Sequence, residues 1–371
     1  MKPLDILHCH STFSLGGKEA RAVRLMNAFG DAAHHTVLTA MPDAVGARDA
    51  IEAGIRASFP QDAPSLNGKP SPGRYRRLSA YMQQFDLVLT YNWGSMDAVG
   101  ARRLFPKGCP PLIHHEDGFN LDEAVKLNWK RNSFRRLMLP TAAALVVPSV
   151  RLEGIAKSVW KQPNVRRIPN GIDVARYGVA PSPDAIPGLA KQPGEIVVGT
   201  LAGLRAVKNL PRLVRAVATQ PSHVKLVIVG EGPERQRICD EAARLGMTDR
   251  LLLSGFLPEP HGYVGLFDIF ALSSDSEQFP ISLVEAMAAG LPALSTDVGD
   301  VMAMVSPENR DFIAPVGDEA AYTRALSRLV DAFDLRHNIG AANRAKASAE
   351  YDEVAMIDAY RALYWAAAGQ P

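Results

Sequence analysis

The sequence has few of the features that mark secreted or membrane-spanning proteins. Its 371 residues include three cysteines, Cys9, Cys109 and Cys239, an odd number without a Cys-x-x-Cys pair. This excludes a disulfide framework and favours small core residues in a reducing cytosol. No apolar run reaches the roughly 18–20 residues that cross a bilayer, and residues 1–7 predict a short strand, not a signal peptide. We therefore predict a cytoplasmic location, or at most a peripheral one.

Net charge and metal-ligand clusters are also scarce. The formal net charge of +2 provides no general attraction to nucleic acid, so we predict no nucleic-acid partner. No Asp-x-Asp pair occurs, and Asp275-Ser276-Glu277 is the nearest approach to one. His8 and His10 share a strand face, as zinc ligands could, but no partner ligands stand at a suitable spacing. The sequence therefore predicts no metal site.

Short apolar runs alternate with amphipathic helical windows through the first half of the chain. Strands are predicted at 4–9, 36–39, 86–90, 111–115 and 144–148, and helices are predicted to begin near Lys18, Met96, Leu121 and Val150. This alternation is typical of a parallel, doubly wound α/β sheet. Residues 58–77, rich in Pro, Gly and Ser, are predicted to form a mobile loop.

A second α/β series follows a proline-rich segment, 166–193, which is predicted to be a linker. Its strands are predicted at 196–200, 224–229, 250–253, 269–273, 293–295 and 312–314, with helices beginning near Leu210, Glu234, Pro280, Asp300 and Glu319. The length suits two domains. We predict an N-terminal domain over 1–170, a C-terminal domain over 171–351, and a last helix, 352–371, that packs back on the first. Such folds bind ligands at the carboxyl ends of their strands, so a cleft between the sheets is expected.

Glycine-rich turns follow strands in both halves. After the first strand, Gly16 and Gly17 open a helix whose N-terminus favours an anion, although a simple tight turn explains them equally well. In the second half, Gly230-Glu231-Gly232-Pro233 follows an apolar strand. Arg235 stands where the third glycine of a dinucleotide-binding fingerprint belongs, so a nicotinamide site is disfavoured.

The most specific stretch runs from Ser273 to Pro292, where two glutamates bracket a predicted helix start. Glu277 precedes the helix and Glu285 lies inside it, so Glu285 can accept from paired ribose hydroxyls. Residues 278–281 mark a helix N-terminus, where the backbone N–H groups of Gln278, Phe279 and Ile281, but not Pro280, can hold an anion or sugar hydroxyls. Upstream, Arg205 and Lys208 could neutralise a diphosphate, although two solvated loop charges would look the same.

The chain resembles the retaining glycosyltransferases of family 4, which include bacterial mannosyl and glucosyl transferases and have the two-Rossmann fold called GT-B. The motifs that carry the resemblance are Gly16-Gly17-x-Glu19, residues 168–173 (IPNGID), Lys208-Asn209, Gly230-Glu231-Gly232-Pro233 and Glu277 through Glu285. The resemblance implies that Glu277 meets the donor sugar, Glu285 the ribose, Lys208 and Arg205 the diphosphate, and Gly17 the donor and acceptor. It also implies donor contacts by Gly16, Gly203, Glu231 and residues 278–281.

Two departures from the family pattern matter. The family has arginine where Gly203 stands, and Arg205, two residues further along, is a candidate replacement. The family also has a histidine after the fourth strand of the first domain, where this chain reads 113–118, IHHEDG. His114, His115 and Asp117 are all candidates, with His115 favoured for catalysis, and His10 is a further acceptor or acid–base candidate. Gln278 replaces a common glycine and would still contribute a backbone N–H.

The implied reaction moves a sugar from a UDP- or GDP-sugar to an acceptor with retention of configuration, without metal or cofactor. Charge on the leaving diphosphate would be neutralised by groups already in place. A basic helix at 121–139 with Trp129, Phe134 and Leu137, and Arg74, Arg76 and Arg77 before it, suits an anionic membrane surface. The acceptor would then be a lipid or lipid-linked glycan of the cell envelope, although a solvated helix is an equal alternative.

Two other functions fit the same architecture. A nucleotide-sugar epimerase would need acid and base groups around the sugar, which residues 114–117 do not exclude. A non-enzymatic sugar-binding protein is the other alternative, but such proteins are usually exported. Donor hydrolysis separates the binding protein from the enzymes, and acceptor-dependent release of nucleoside diphosphate separates the transferase from the epimerase.

Overall fold

The computed structural model of the protein describes residues 2–14, 16–118 and 128–370. Within them the chain divides into two compact units. The first runs to Pro169 and is completed by the residues from Ala355 onward, and the second is Asn170–Val354. Each is built on one parallel sheet, which confirms the two Rossmann-like α/β domains predicted from the sequence.

The first unit contains a parallel sheet of seven described strands in the order β3-β2-β1-β4-β5-β6-β7. The strands are β1 (Leu4–His10), β2 (Ala33–Thr39), β3 (Ala57–Ser58), β4 (Leu87–Tyr91), β5 (Leu112–His115), β6 (Ala144–Val147) and β7 (Val165–Arg167). The helices are α1 (Gly17–Phe29), α2 (Pro72–Met82), α3 (Met96–Leu104), α4 (Trp129–Met138) and α5 (Val150–Ser158). The five strands predicted for this half are all present, within a few residues of the predicted bounds.

Alternate residues of each strand point to two separate cores, one on each face of the first sheet. On β1, Leu4 and Ile6 enter one core, and Leu7 and Cys9 enter the other. Because helices cover both faces, strands such as β4 and β6 are largely apolar, as central parallel strands usually are. Runs of polar side chains occur at the carboxyl end of β5, where His114 and His115 precede Glu116, and in the first part of β2, at 34–36.

The second unit contains a parallel sheet of six described strands in the order β10-β9-β8-β11-β12-β13. The strands are β8 (Ile196–Leu201), β9 (Val224–Val229), β10 (Leu251–Gly255), β11 (Ile269–Leu272), β12 (Ala293–Thr296) and β13 (Ile313–Ala314). The helices are α6 (Leu210–Ala218), α7 (Arg235–Arg244), α8 (Ile281–Ala288), α9 (Val301–Met304), α10 (Glu319–Asp331) and α11 (Phe333–Glu350). β8 pairs with β11, so the loops that follow these two strands emerge side by side.

The prediction of a linker over 166–193 is wrong, because both ends of this segment belong to folded units. Its first residues form β7, the edge strand of the first sheet. Further on, Ile172, Tyr177 and Ile186 are buried in the core of the second unit. The segment is irregular because of its prolines, yet most of its apolar side chains are packed, Val179 being exposed.

The mobile loop predicted over 58–77 is also wrong in its second part. Pro72 begins α2 as a favourable first helical residue, and the Ser71 hydroxyl accepts a hydrogen bond from the Arg74 backbone N–H. Tyr75 is buried, and the Arg74 side chain pairs with Asp97 at 2.6 Å. Pro-Gly at a helix start was misread as a loop signal. The helix start predicted near Leu121 lies outside the described residues.

The last helix, α12 (Glu353–Ala367), contributes aromatic side chains to the core of the first unit. Tyr364 and Trp365 both meet the Phe29 ring edge-on, with ring centroids 6.0 and 5.1 Å away. The Arg361 guanidinium donates to the Ala28 carbonyl oxygen at 2.9 Å. Among the described residues, no helix has both the length and the apolar character that crossing a membrane requires.

Gly230, which directly follows β9, lies where two loops approach each other closely at the carboxyl edge of the second sheet. Its φ is 142°, and an added Cβ would overlap the Ala202 carbonyl oxygen. We expect Gly230→Ala to lower the free energy of unfolding by at least about 3 kcal/mol, since strain from the φ angle and overpacking add. Gly246→Ala is the matched control: its φ is 66° but its Cβ would meet nothing within 4 Å. Urea unfolding followed by fluorescence measures both, and equal losses would contradict the close approach.

Candidate active site

The loop between β1 and α1 places Gly16 and Gly17 at an open helix N-terminus. Gly16 is the N-cap of α1 with no side-chain cap, and both glycines are exposed. A Cβ on Gly16 would lie 3.0 Å from a carboxylate oxygen of Glu19, whereas one on Gly17 would meet nothing within 4 Å. Glu19 is buried and pairs with Lys18. The helix N-terminus here is therefore open to an anion, although the Glu19 carboxylate lies close to Gly16.

A column of stacked rings stands at the carboxyl ends of β1, β4 and β5. The His10 ring lies parallel to the Tyr91 ring at 4.0 Å, and Tyr91 lies parallel to His115 at 4.6 Å. His8 joins the same group through hydrogen bonds of 3.2 Å to the Tyr91 hydroxyl and 3.0 Å to His35. Burial lowers the pKa of His8 and His10 well below the usual value and that of His35 to about 4. These histidines are neutral at physiological pH.

Both ring nitrogens of His115 are used inside the protein. Nδ1 lies 3.1 Å from the Thr90 carbonyl oxygen, which can only accept, so Nδ1 carries the proton. Nε2 then accepts from the Tyr364 hydroxyl at 2.8 Å. Burial, followed by the charge of Arg21, lowers the pKa of His115 to about 3. His114 is equally buried and shares a 2.8 Å hydrogen bond with the Thr90 hydroxyl.

Asp117 is the charged member of the loop after β5. Burial alone would raise its pKa, but the Arg21 guanidinium beside it holds the pKa below the usual value. Arg21 donates to both carboxylate oxygens, with Nη2 to Oδ2 at 2.9 Å. The Asn92 side-chain oxygen accepts from the Asp117 backbone N–H at 2.7 Å. Asp117 is thus an ionised carboxylate in a fixed orientation, and its side chain is 14% exposed.

Glu116 anchors the same loop to α4. Its carboxylate is fully buried and accepts from Arg135 Nε at 3.1 Å. The Arg135 guanidinium lies 5.2 Å from the centroid of the Trp93 ring and 4.9 Å from that of Trp160. This corrects the basic face predicted for α4, because Arg135 points inward. Of the described residues of that face, Trp129, Lys130, Arg136 and Leu137 are exposed.

In the second unit, the loops after β8 and β11 bring Lys208 and Glu277 into contact. Lys208 Nζ donates to Glu277 Oε1, and the Ser274 hydroxyl donates to the same oxygen at 2.7 Å. The side chains of Lys208 and Glu277 are 14% and 13% exposed. Two residues that the resemblance assigns to the diphosphate and to the donor sugar are therefore neighbours, although they are 69 positions apart in the sequence.

Arg205 lies against the residue where the family has its arginine. A Cβ on Gly203 would be 3.6 Å from Arg205 Nε and 3.9 Å from the Glu231 carbonyl oxygen. The Arg205 side chain therefore lies next to Gly203, and its role as a replacement stays a prediction. Glu231 is exposed, and one of its carboxylate oxygens would lie 3.1 Å from a Cβ on Gly255. Arg205 and Glu231 thus lie on the loops at the carboxyl edge of this sheet.

The residues before α8 form the helix N-terminus that the sequence predicts. Pro280 is the N-cap without a side-chain cap, and α8 begins at Ile281. Phe279 meets the Tyr351 ring edge-on at 5.7 Å, and the Gln278 carbonyl oxygen accepts from the Asp300 N–H at 3.2 Å. Inside α8, half-buried Glu285 accepts from the Tyr177 hydroxyl at 3.2 Å.

Sequence reasoning missed the groups that hold the predicted residues in place. In the first unit these are Arg21, Tyr91, Tyr360 and Tyr364, and in the second Ser274 and Tyr177. Tyr360 and Tyr364, four positions apart on one face of α12, were the available signal, since two tyrosines on a buried helix face usually need polar partners. Nothing local to the sequence indicates that this face meets His115.

No group of three or more metal-ligating side chains is present among residues 2–14, 16–118 and 128–370. Asp275, from the nearest approach to an Asp-x-Asp pair, accepts from the Asn209 side-chain amide and pairs with Arg212 at 2.9 Å. His8 meets His35 and Tyr91 instead of a set of metal ligands.

Comparison with known families identifies both units. The family of glycosyltransferase family 4 domains matches residues 15–176, and that of glycosyl transferases group 1 matches residues 182–346. The chain therefore carries a glycosyltransferase family 4 domain followed by a glycosyl transferases group 1 domain. The two matches together cover most of both units, and the second match includes the two glutamates, Glu277 and Glu285.

Relatives and solved structures are consistent with this family. The N-acetyl-alpha-D-glucosaminyl L-malate synthase of Bacillus anthracis is 27% identical over 167 residues, which are 44% of this chain and 44% of that protein. A lipopolysaccharide core biosynthesis glycosyltransferase of Rhizobium meliloti, LpsD, is 27% identical over 157 residues, 42% of this chain and 46% of that protein. The chain thus spans about half the length of the curated relatives it matches. The crystal structure of Anabaena HepE in complex with UDP has the same fold, with a TM-score of 0.78 at 20% identity over 97% of this chain and 99% of that one.

The buried histidines of the first unit predict a loss of stability in acid. Folded pKa values of about 4 for His35 and about 3 for His115 lie below the unfolded value of roughly 6.5. At a pH above the unfolded pKa, these imidazoles are neutral in both the folded and the unfolded protein. As the pH falls below it, they bind protons in the unfolded chain but not in the folded one. Each histidine then removes about 1.4 kcal/mol per pH unit until its folded pKa is reached.

Urea unfolding at two pH values one unit apart, both below 6.5 and above 4, measures this effect. In His35→Asn the fall in stability between the two pH values should be smaller than in the wild type by about 1.4 kcal/mol. Exposed His223→Asn is the control and should keep the wild-type fall. A fall unchanged in His35→Asn would contradict a neutral His35 in the folded protein.

Proposed function

We propose that the protein is a retaining, metal-independent glycosyltransferase that uses a UDP- or GDP-sugar. The observation that carries this proposal is the contact between Lys208 and Glu277 at the carboxyl edge of the second sheet. A lysine for the diphosphate and a carboxylate for the sugar meet there, beside the open N-terminus of α8. UDP in the structure of HepE supports a nucleotide donor.

The donor would be held entirely by side chains and backbone of the second unit. Glu285 would accept from the ribose hydroxyls, as carboxylates do in other dinucleotide folds, with Tyr177 fixing its orientation. Lys208 and Arg205 would neutralise the diphosphate, and the N–H groups before α8 would add further donors. Because these groups supply the positive charge, no divalent cation is required.

Retention would follow from departure of the diphosphate and attack of the acceptor oxygen on the same face of the sugar. The bond from the anomeric carbon to the diphosphate oxygen breaks, and the bond to the acceptor oxygen forms. The acceptor proton passes to the departing phosphate oxygen. Lys208 and Arg205 would stabilise the negative charge that develops on the diphosphate, so no covalent nucleophile is needed.

The first unit would bind the acceptor, with Asp117 as its charged hydrogen-bond acceptor. The neutral ring of His115, with both nitrogens bound inside the protein, disfavours an epimerase, which needs a proton donor and a proton acceptor at the sugar. Relatives such as LpsD support a cell-envelope glycan or glycolipid as the acceptor. Trp129 is 71% and Leu137 58% exposed on α4, beside Lys130 and Arg136, which suits an anionic membrane surface.

Calorimetry with UDP, GDP and ADP, in the presence of a chelator, tests the donor site. We expect micromolar binding of one nucleotide, weakened about tenfold or more in Glu285→Ala because the ribose loses a charged hydrogen-bond acceptor. Tyr177→Phe, which leaves the carboxylate and removes one hydrogen bond to it, should weaken binding less. Equal binding by Glu285→Ala and wild type would contradict the proposed contact between Glu285 and the ribose.

Product analysis separates the reaction classes once a nucleotide is known. Release of nucleoside diphosphate only when an acceptor is added supports the transferase, and interconversion of the donor sugar without release supports the epimerase. Proton NMR of the first product reports the anomeric configuration, and an inverted anomer would refute the retaining mechanism.

Vesicle sedimentation tests the membrane surface. Binding to phosphatidylcholine vesicles that contain phosphatidylglycerol should fall at least tenfold in Lys130→Glu/Arg136→Glu, because each basic residue near such a surface contributes about 1 kcal/mol. Arg324→Glu/Arg328→Glu, the same charge change on exposed residues of α10 in the second unit, is the control. Equal loss in both variants would indicate a general charge effect and not a docking face on α4.

A further inference from the structure

The two loops that carry Lys208 and Glu277 are joined by hydrogen bonds that do not involve either charged group. The Ser273 hydroxyl donates to the Lys208 carbonyl oxygen at 2.9 Å. The Asp275 N–H donates to the Val207 carbonyl oxygen at 2.8 Å. These two bonds run between the backbone of one loop and the residues just before Glu277 in the other. The distance between the two loops is therefore set before any ligand arrives.

The Asp275 side chain is the centre of this connection. Its two carboxylate oxygens each lie 3.1 Å from the Asn209 side-chain nitrogen. Its Oδ1 also pairs with Arg212 at 2.9 Å, and a second guanidinium N–H of Arg212 donates to the Ser273 carbonyl oxygen at 2.9 Å. The Arg212 side chain is 6% exposed, and these partners, together with Glu319 at 3.7 Å, offset the cost of burying it.

Asn209 connects this cluster to the backbone of Lys208. It follows Lys208 directly and has φ 42° and ψ 47°, a left-handed conformation that a side chain other than glycine adopts at a cost. It is also the N-cap of α6, and its side chain makes no cap hydrogen bond but donates to Asp275 instead. The Asp275 carboxylate thereby lies near the N-terminus of α6, where negative charge is favourable. Release of Asn209 would free the backbone to relax and turn Lys208 away from Glu277.

We propose that Asp275, acting through Arg212 and Asn209, is a positioning residue that holds Lys208 in place to meet the diphosphate of the donor. This rests on the proposed function for the role of Lys208, but the positioning itself is a property of the second unit alone. This role requires no contact between Asp275 and the donor. Loss of Asp275 should therefore act on the contact that Lys208 makes and leave the base and ribose contacts unchanged.

The ratio of diphosphate to monophosphate affinity isolates that contact. Calorimetry with UDP against UMP, and with GDP against GMP, compares ligands that differ in the outer phosphate alone. Asp275→Ala should reduce the wild-type preference for the diphosphate about tenfold, the usual effect of losing one charged hydrogen bond, while monophosphate binding changes little. Lys208→Ala should reduce it at least as much. Asp275→Asn, which can still accept from Asn209 but has no charge for Arg212, should lie between wild type and Asp275→Ala.

Glu195→Gln is the matched control. Glu195 pairs with Lys225 at 2.8 Å and lies next to the first residue of β8, at the opposite end of that strand from Lys208. Its substitution removes an ion pair from the same sheet and should leave the phosphate preference unchanged. An equal change in Glu195→Gln and Asp275→Ala would mean that general destabilisation is the cause, and the proposal would be overturned.

A measurement without nucleotide separates this proposal from the proposed function. After reductive methylation with ¹³C-formaldehyde, the Lys208 resonance is assigned by its absence in Lys208→Arg. It should move in Asp275→Ala toward its position in Glu277→Gln, because the contact with Glu277 is lost in both, and stay in place in Glu195→Gln. An unmoved resonance in Asp275→Ala overturns the positioning role. If it moves while no nucleotide binds the wild type, the positioning stands and the donor function fails.

Discussion

Parallel strand pairing is the constraint on which the rest of the structure depends. In each sheet every described strand runs in the same direction, so all carboxyl ends lie along one edge. His10 at the end of β1, Asn92 after β4 and Asp117 after β5 therefore lie at one edge, although about a hundred positions separate the first from the last. The helices that return the chain cover both faces of the sheet. Polar side chains that can meet a ligand are consequently expected at the ends of the strands.

Cations at these edges are held by carboxylates of the same unit. Arg21 pairs with Asp117 and Lys18 with Glu19 in the first unit, and Lys208 pairs with Glu277 in the second. A half-buried charge without a partner would lower the stability of the folded protein. Each pair therefore allows a cation to lie near the surface before a ligand binds. Under the proposed function, a diphosphate that reaches Lys208 would compete with Glu277 for it. Donor binding and the orientation of Glu277 toward the sugar would then be linked through a single lysine.

The sequence was sufficient for most of the fold because the strands are local, apolar and bounded by polar residues. Each predicted strand, such as 224–229, is present, and the start of α8 was legible from Pro280 and the apolar residues after it. Two segments were misread where composition and packing disagree. Pro72-Gly73 begins α2, and the proline-rich region around Ile186 fills the core of the second unit. Composition reports flexibility, whereas the few apolar side chains in such a segment decide whether it packs.

The candidate site was predictable in its residues but less so in its contacts. Glu277 and Lys208 follow from motifs at short range, yet their contact depends on the pairing of β8 with β11. The partner of His115, Tyr364, is 249 positions away in the sequence, and no spacing rule connects them. The structure adds mainly the supporting groups, because these are chosen by three-dimensional neighbours and not by chain neighbours.

The state of charge separates the three candidates in the loop after β5. His114 and His115 are fully buried, and the pKa of His115, lowered to about 3 by burial, keeps its ring neutral. Its nitrogens are engaged by Thr90 and Tyr364, so a substrate would have to displace one of them. Asp117 is ionised, oriented by Arg21 and accessible at one side. Of the three, Asp117 can meet a sugar hydroxyl or a developing positive charge without rearrangement, while His115 is better placed to support the strand end that carries it.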